Sequence, residues 1–242
     1  MTPERVARIR NVLDKRQPDL TVVTDRVTKP HNISAIIRSC DAFAVPECHA
    51  VWPDEGFKTY RRRAAGSQHW VKVTTHPCIQ TGIAHLKQQG FRVLAAHLSD
   101  TAQPYDQLDF TQPTAFLMGA ELEGVSDEAA ELADGHVIVP MQGMVESLNV
   151  SVVAALLLSE ACRQRRQAGF FDQPRLSAEH YQQLFFEACY PDLAKRCRDR
   201  GLSYPRLKEN GDFESPEAFS AAYNAGSHRF LVGVLSKHDP GS

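Results

Sequence analysis

Val137–Glu160 reads VIVPMQGMVESLNVSVVAALLLSE, and this stretch decides the fold. Val137, Ile138 and Val139 form a β-branched run that suits a buried strand, and Pro140 ends it because proline cannot donate to a ladder. A loop containing Gly143 follows, then Ser147 and Asn149, short polar side chains of the kind that cap helix starts. From Val150 to Leu158 the chain is apolar on nearly every face, which predicts a buried helix. The loop therefore lies at the carboxyl end of a strand and just before a helix amino terminus, the place where open α/β sheets bind ligands.

Working outward, strands are expected over Leu20–Val23, Cys48–Trp52, Trp70–Val73, Phe91–Ala96 and Thr114–Met118. Between them the spacing predicts a helix opened by Asn32, with Ile33, Ile36, Ile37 and Cys40 on one side, and a second over Cys78–Gln89 closed by Gly90. A third runs over Ser126–Ala133 with Ser126 as its cap. Strands alternating with helices imply an α/β fold, a mostly parallel sheet with helices on both faces. Val6, Ile9 and Leu13 make an amphipathic helix before Pro18, residues 177–197 look like one further helix, and beyond Gly201 an extended or poorly ordered tail is expected. The division this suggests is a helical extension over 1–19, a core over 20–165, and a helical extension with tail over 166–242.

The chain has 242 residues, 43% hydrophobic and 23% charged, enough to bury a substantial core. No apolar run approaches the roughly 20 residues that span a bilayer, and the charged start MTPERVARIR lacks the apolar segment of a signal peptide. The six cysteines form no CxxC pair and no zinc spacing with histidine, so reduced thiols of a cytoplasmic protein without a metal are expected. Net charge is only −2, but its distribution is uneven. Residues 56–99 carry Lys58, Arg61, Arg62, Arg63, Lys72, Lys87 and Arg92 with no acid, residues 93–162 carry acids with no lysine or arginine, and basic residues return from Arg163 through Arg165, Arg166 and Arg175 to Arg206. Basic clusters flanking an acidic core favour a polyanionic partner.

There is no GxxxxGK[ST] loop, no GxGxxG after the first strand and no GxSxG elbow, which leaves a P-loop, an ordinary dinucleotide site and that class of hydrolase unsupported. Three other segments lie at the expected strand–helix passages. They are Lys29–Arg38 (KPHNISAIIR), Leu117–Gly124 (LMGAELEG), and Val139–Met141 leading to Ser147–Ser151 (SLNVS). In the first, Asn32 stands where an N-cap belongs, and Arg38–Asp41 reads as an exposed helix ion pair.

Taken together and in this order, the three segments resemble the motifs of SPOUT-class RNA 2′-O-methyltransferases, within them the bacterial enzymes that modify guanosine 18 of tRNA. The resemblance runs from about Arg5 to about Arg206 and includes Ala64–Ser67. It implies a deep trefoil knot at about 115–165, against the general rule that chains avoid knots, and a homodimer with each pocket lying against the partner. It implies S-adenosyl-L-methionine held mainly by backbone near Ala96, Gly119, Val139, Met141 and Leu148. Relatives often carry threonine at the position of Ala96; a backbone contact survives that change. The reaction implied is attack of a ribose 2′-oxygen on the cofactor's methyl, with Arg38 as the activating or phosphate-anchoring group and Asn32, Glu121, Ser147 and Asn149 as positioning groups. Arg8, Arg61, Arg63, Arg163 and Arg166 would contact tRNA phosphates, and the 2′-hydroxyl makes RNA rather than DNA the substrate. Two other readings share these motifs: a ribosomal-RNA 2′-O-methyltransferase, disfavoured by the short stretch before the first strand, and an RNA-binding protein without catalysis, disfavoured by retention of the polar set.

Overall fold

The computed structural model describes residues 1–51 and 70–225, so Arg61, Arg63 and the Ala64–Ser67 segment lie outside the described residues. The chain divides into two compact units, one of Lys15–Arg175 and one of Met1–Asp14 with Leu176–Ser242.

In the first unit, β1 (Leu20–Asp25), β2 (Glu47–Val51), β3 (Lys72–His76), β4 (Arg92–Ala96), β5 (Gln103–Pro104), β6 (Thr114–Met118) and β7 (Gly135–Ile138) form one sheet, ordered β3-β2-β1-β6-β4-β7-β5. Every pairing is parallel. The central strands β1 and β6 are buried along their whole length, which is why both read as continuous apolar or β-branched runs rather than alternating ones. Alternation decides only which face each residue enters. Leu20, Val22, Phe116 and Met118 join α2 (Pro30–Ala42) and α5 (Val150–Gln167), while Val23, Ala115 and Leu117 join α3 (Ile79–Gln88) and α4 (Asp127–Leu132) on the other face.

Several sequence expectations shift here. The helix expected to open at Asn32 begins at Pro30, with Lys29 in the cap position, because proline at the first helical residue already has the helical φ. Asn32 is thereby one turn inside, and its side chain is free for other partners. The strand expected over 137–139 is β7, Gly135–Ile138, and the one expected over 70–73 is β3, Lys72–His76. Asn149, not Ser147, caps α5, its side chain accepting from the Ser151 N–H. Nor is α5 buried all round: Ala154, Leu157, Leu158, Ala161 and Cys162 face the core, whereas Val152 is 45% exposed. A helix lying on one face of a sheet can bury only one stripe.

Among the described residues two arginines are interior. Arg16 is 1% exposed and donates to Asp41 Oδ1 at 2.9 Å, to the Trp70 carbonyl at 2.8 Å and to the Val45 carbonyl at 3.2 Å. Asp41 is thus engaged from across the fold, and the expected Arg38–Asp41 pair does not form. Arg165, fully buried, donates to the carbonyls of Phe110, Asp19 and Gln112 at 3.0, 3.1 and 3.1 Å and to Asp19 Oδ1 at 2.5 Å. Arg175 holds the same carboxylate at 2.7 and 2.9 Å and lies 4.0 Å over the Phe170 ring. Burial pushes the Asp19 carboxyl upward, but the two guanidinium groups outweigh it and hold it below its ordinary value. Arg165 and Arg175 therefore leave the set of basic residues expected to face a polyanion.

In the second unit, α1 (Pro3–Asp14) buries Val6, Ile9 and Leu13 as its spacing predicts. Residues 177–197 form two helices, α6 (Ala178–Cys189) and α7 (Pro191–Asp199), because Pro191 forces the residue before it out of helical geometry. The chain beyond Gly201 is not simply an extended tail: Leu207 and Phe213 make an antiparallel bridge, and α8 (Pro216–Ala225) follows. Tyr190, Phe213 and Phe219 stack in series with centroids 5.0 and 5.5 Å apart.

Candidate functional site

β1 and β6 are neighbours, yet the chain leaves their carboxyl ends in opposite directions, toward β2 and toward β7. Such a divergence opens a crevice, the switch point at which doubly wound sheets place ligands. The segment leaving β6 is a tight loop closed by two backbone bonds between Ala120 and Gly124, at 2.8 and 2.9 Å. Gly124 has φ +70°, and a Cβ on Gly119 would lie 2.1 Å from the Gly124 and Val125 backbone. The two glycines of the LMGAELEG segment are therefore demanded by the loop itself.

That loop carries Glu121 to the start of α2. Glu121 Oε1 accepts from Asn32 Nδ2 at 2.6 Å, and the Asn32 Oδ1 accepts from Asn149 Nδ2 at 3.1 Å. Asn149 is itself fixed, its Oδ1 accepting from the Ser151 N–H at 2.9 Å and the Ser151 hydroxyl at 2.6 Å. Residues from all three sequence segments thus converge on one hydrogen-bonded chain. Burial pushes the Glu121 carboxyl upward, but bonds from Asn32 and from the backbone N–H groups of Glu121 and Lys29, with the Lys29 charge, hold it below its ordinary value. An ionised acid here also complements the positive amino terminus of α2, whose cap residue Lys29 supplies no side-chain cap.

Arg38 is not drawn into this chain. It lies six residues, about 9 Å, further along α2 from Asn32, exposed, and its side chain meets no hydrogen-bond or ion-pair partner among the described residues. Ser147 is exposed two residues before the α5 cap. Of the segments expected to hold a cofactor, Gly119 is buried, and Ala96, Val139, Met141 and Leu148 are partly buried. Ala96 pairs with Val137 on the adjacent strand β7, so the ends of β4 and β7 lie side by side. Four of these five side chains are apolar and the fifth is glycine, so an adenosyl group would meet main-chain atoms and apolar surface there, not side-chain charge. Leu122, Met144, Val145 and Val152, on the same loops and the first turn of α5, are 94%, 99%, 59% and 45% exposed.

Among the expected phosphate contacts, Arg8 and Arg166 are exposed, the latter 5.7 Å over Phe171. Arg163 is exposed but forks onto Glu160 at 2.8 and 2.6 Å. The sequence reading missed Lys29 as a backbone donor to Glu121 and Arg26 beside the loop. Lys29 opens the first of the three segments but acts there through its main chain, and Arg26, outside all three, acts through a conformation.

The profile of the SpoU rRNA methylase family matches residues 19–159, and that of the family's C-terminal region matches residues 163–216. The chain is 49% identical over 227 residues to the tRNA (guanosine(18)-2′-O)-methyltransferase of Escherichia coli (strain K12), covering 93% of this chain and 99% of that protein. The crystal structure of the A. aeolicus TrmH/SpoU tRNA modifying enzyme superposes with a TM-score of 0.72 at 38% identity, over 78% of this chain and 97% of that one. The SpoU methyltransferase AviRb from Streptomyces viridochromogenes, solved in complex with the cofactor AdoMet, matches with a TM-score of 0.55 at 28% identity, over 63% and 59%.

Proposed function

Because the chain belongs to the SpoU methylase family, we propose that it methylates the ribose 2′-oxygen of guanosine 18 in the D-loop of tRNA, using S-adenosyl-L-methionine. The observation that carries the site assignment is Asn32 bonded at once to Glu121 and Asn149.

Ala96, Gly119, Val139, Met141 and Leu148 would hold S-adenosylmethionine, which supplies the electrophilic methyl group. Asn32, Glu121 and Asn149 are the frame: Asn32 spends its amide nitrogen on Glu121 and its amide oxygen on Asn149, so the loops they join keep one geometry as substrate arrives. Ser147, exposed beside that frame, is free to meet the ribose. A ribose hydroxyl is a weak nucleophile until its proton is drawn away. Arg38 is suited to grip an adjacent RNA phosphate and orient the hydroxyl, because a guanidinium surrenders its own proton only far above neutral pH. Arg8, Arg61, Arg63, Arg163 and Arg166 would bind tRNA phosphates, Arg163 after releasing Glu160. The requirement for a 2′-hydroxyl excludes DNA as substrate.

The same reading includes a homodimer. What supports it is the exposed apolar set Leu122, Met144, Val145 and Val152 on the site's own loops, and an Arg38 that meets no acid among the described residues. It includes a knot at about 115–165. In support, Gln164 of α5 donates to the Leu108 carbonyl at 2.9 Å and accepts from the Phe110 N–H at 2.7 Å, binding the helix to the segment between β4 and β6. The cytoplasm is the compartment of the reaction, in keeping with six free cysteines and the absence, among the described residues, of a helix able to cross a membrane.

The test is methyl incorporation from labelled cofactor into unmodified tRNA and rRNA transcripts. Label at one D-loop ribose is expected. Label confined to rRNA would reassign the substrate, and RNA binding without transfer would remove the activity. Arg38→Ala is expected to abolish turnover while cofactor binding persists.

A further inference from the structure

The loop that delivers Glu121 is gripped from outside by two consecutive residues at the carboxyl end of β1. Asp25, 1% exposed, accepts through Oδ2 from the Ser126 N–H at 3.1 Å and the Ser126 hydroxyl at 2.6 Å, where the loop runs into α4. Arg26 reaches the loop's crown, its Nη1 lying 3.2 Å from Glu123 Oε2, while its Nε is 3.5 Å from Asp25 Oδ1. Arg26 does this from φ +53°, a left-handed backbone that a residue with a long side chain rarely adopts. From that conformation the guanidinium meets both the Asp25 and the Glu123 carboxylates. Both members of the Arg26–Glu123 pair are substantially exposed, at 46% and 69%, so the pair adds little to global stability. A strained backbone kept at a ligand crevice for a pair of small stabilising value points to a role in geometry.

We propose that Arg26 is a positioning residue for methyl transfer: by holding Glu123 it fixes the loop of residues 119–124, and through Glu121 it fixes the Asn32–Asn149 bond. The proposal rests on the tRNA methyltransferase reading above and extends it to a residue outside the three motif segments. Glu121 and Glu123 lie on either side of exposed Leu122, in a loop closed by the Ala120–Gly124 bonds. Within so short a closed loop, releasing one acid changes the direction of the other.

The test separates charge from backbone. Arg26→Asn keeps a residue that tolerates the left-handed conformation and removes the guanidinium, Arg26→Lys keeps the charge, and Glu123→Gln removes the partner at an exposed site where folding is secure. Each variant is assayed with the unaltered protein for kcat and for KM of tRNA and of cofactor. Arg26→Asn and Glu123→Gln are each expected to lower kcat about tenfold with both KM values little changed, since small misplacements cost catalysis rather than binding. Arg26→Lys should recover most of the rate, and the double variant should be no worse than either single one. A raised KM for tRNA at unchanged kcat in Arg26→Asn would make Arg26 a phosphate contact and overturn the proposal. Unchanged kinetics in Arg26→Asn or in Glu123→Gln would overturn it too. Failure of the unaltered protein to methylate tRNA would remove the underlying reading, a result distinct from active protein with indifferent variants.

Discussion

The Asn149 amide donates to Asn32 Oδ1 at 3.1 Å across 117 positions of sequence, while the other end of the same amide caps α5. One side chain thus starts a helix and closes the site. Asn149→Asp separates these duties, because aspartate caps as well as asparagine but cannot donate. With the cap retained, the stability loss is expected to be limited to about 1–3 kcal/mol from the unpaired, buried Asn32 oxygen, while kcat falls about 10–100-fold as the frame loosens. A double-mutant cycle with Asn32→Ala should be strongly non-additive in kcat.

Gly119→Ala should fail at the level of folding. The added Cβ would meet backbone atoms of Gly124 and Val125 at 2.1 Å, and neither can rotate aside. A loss of about 3 kcal/mol or more is expected, read as a lowered urea midpoint and loss of cofactor binding. Gly143→Ala, with nothing within 4 Å of its Cβ, serves as the mild comparison.

Arg165→Ala leaves the Asp19 carboxylate with Arg175 alone and strips donors from the carbonyls of Phe110, Gln112 and Asp19. Breaking such a buried charge network costs about 3–5 kcal/mol. Arg165→Lys should recover little, since an ammonium cannot span that fork. Thermal unfolding of the two variants checks both statements.

His49 gives the fold an acid-side weakness. It is 3% exposed, and its Nδ1 lies 3.0 Å from Nε2 of His76, with the His85 ring at 5.7 Å and Glu47 and Lys72 also acting on it. Burial, opposed by Glu47 and aided by His76, His85 and Lys72, pushes its pKa down to about 4. The unfolded chain binds this proton near pH 6.5, so the unfolded state holds more protons between about pH 6.5 and 4. Stability is therefore full above that window and falls as pH drops through it, by about 3 kcal/mol at most from this group. Urea midpoints measured from pH 7 to 4.5 should show the decline, and His49→Gln should flatten it.

The sheet and its order of elements were legible because buried parallel strands print themselves as β-branched runs, as in Leu20–Asp25 and Thr114–Met118. Helix starts were legible where a side chain caps, as at Ser126, and misplaced where proline sets the start, as at Pro30. The convergence of Asn32, Glu121 and Asn149 followed from motif order, not from periodicity, since no local signal tells which distant loops will meet. Charge patterning misled at Arg165 and Arg175. An arginine written into a basic stretch looks alike whether it faces solvent or closes on a carboxylate such as Asp19, which lies more than a hundred residues earlier.

The strand order also bears on how the chain is made. β6 stands between β1 and β4, both of which are synthesised before it. Until Thr114–Met118 emerges from the ribosome, the earlier strands lack the neighbour that unites them, and β1 and β4 each offer a bare apolar edge. The nascent protein is thus obliged to wait for its own middle, and a pause in translation shortly before residue 114 would prolong its most aggregation-prone moment.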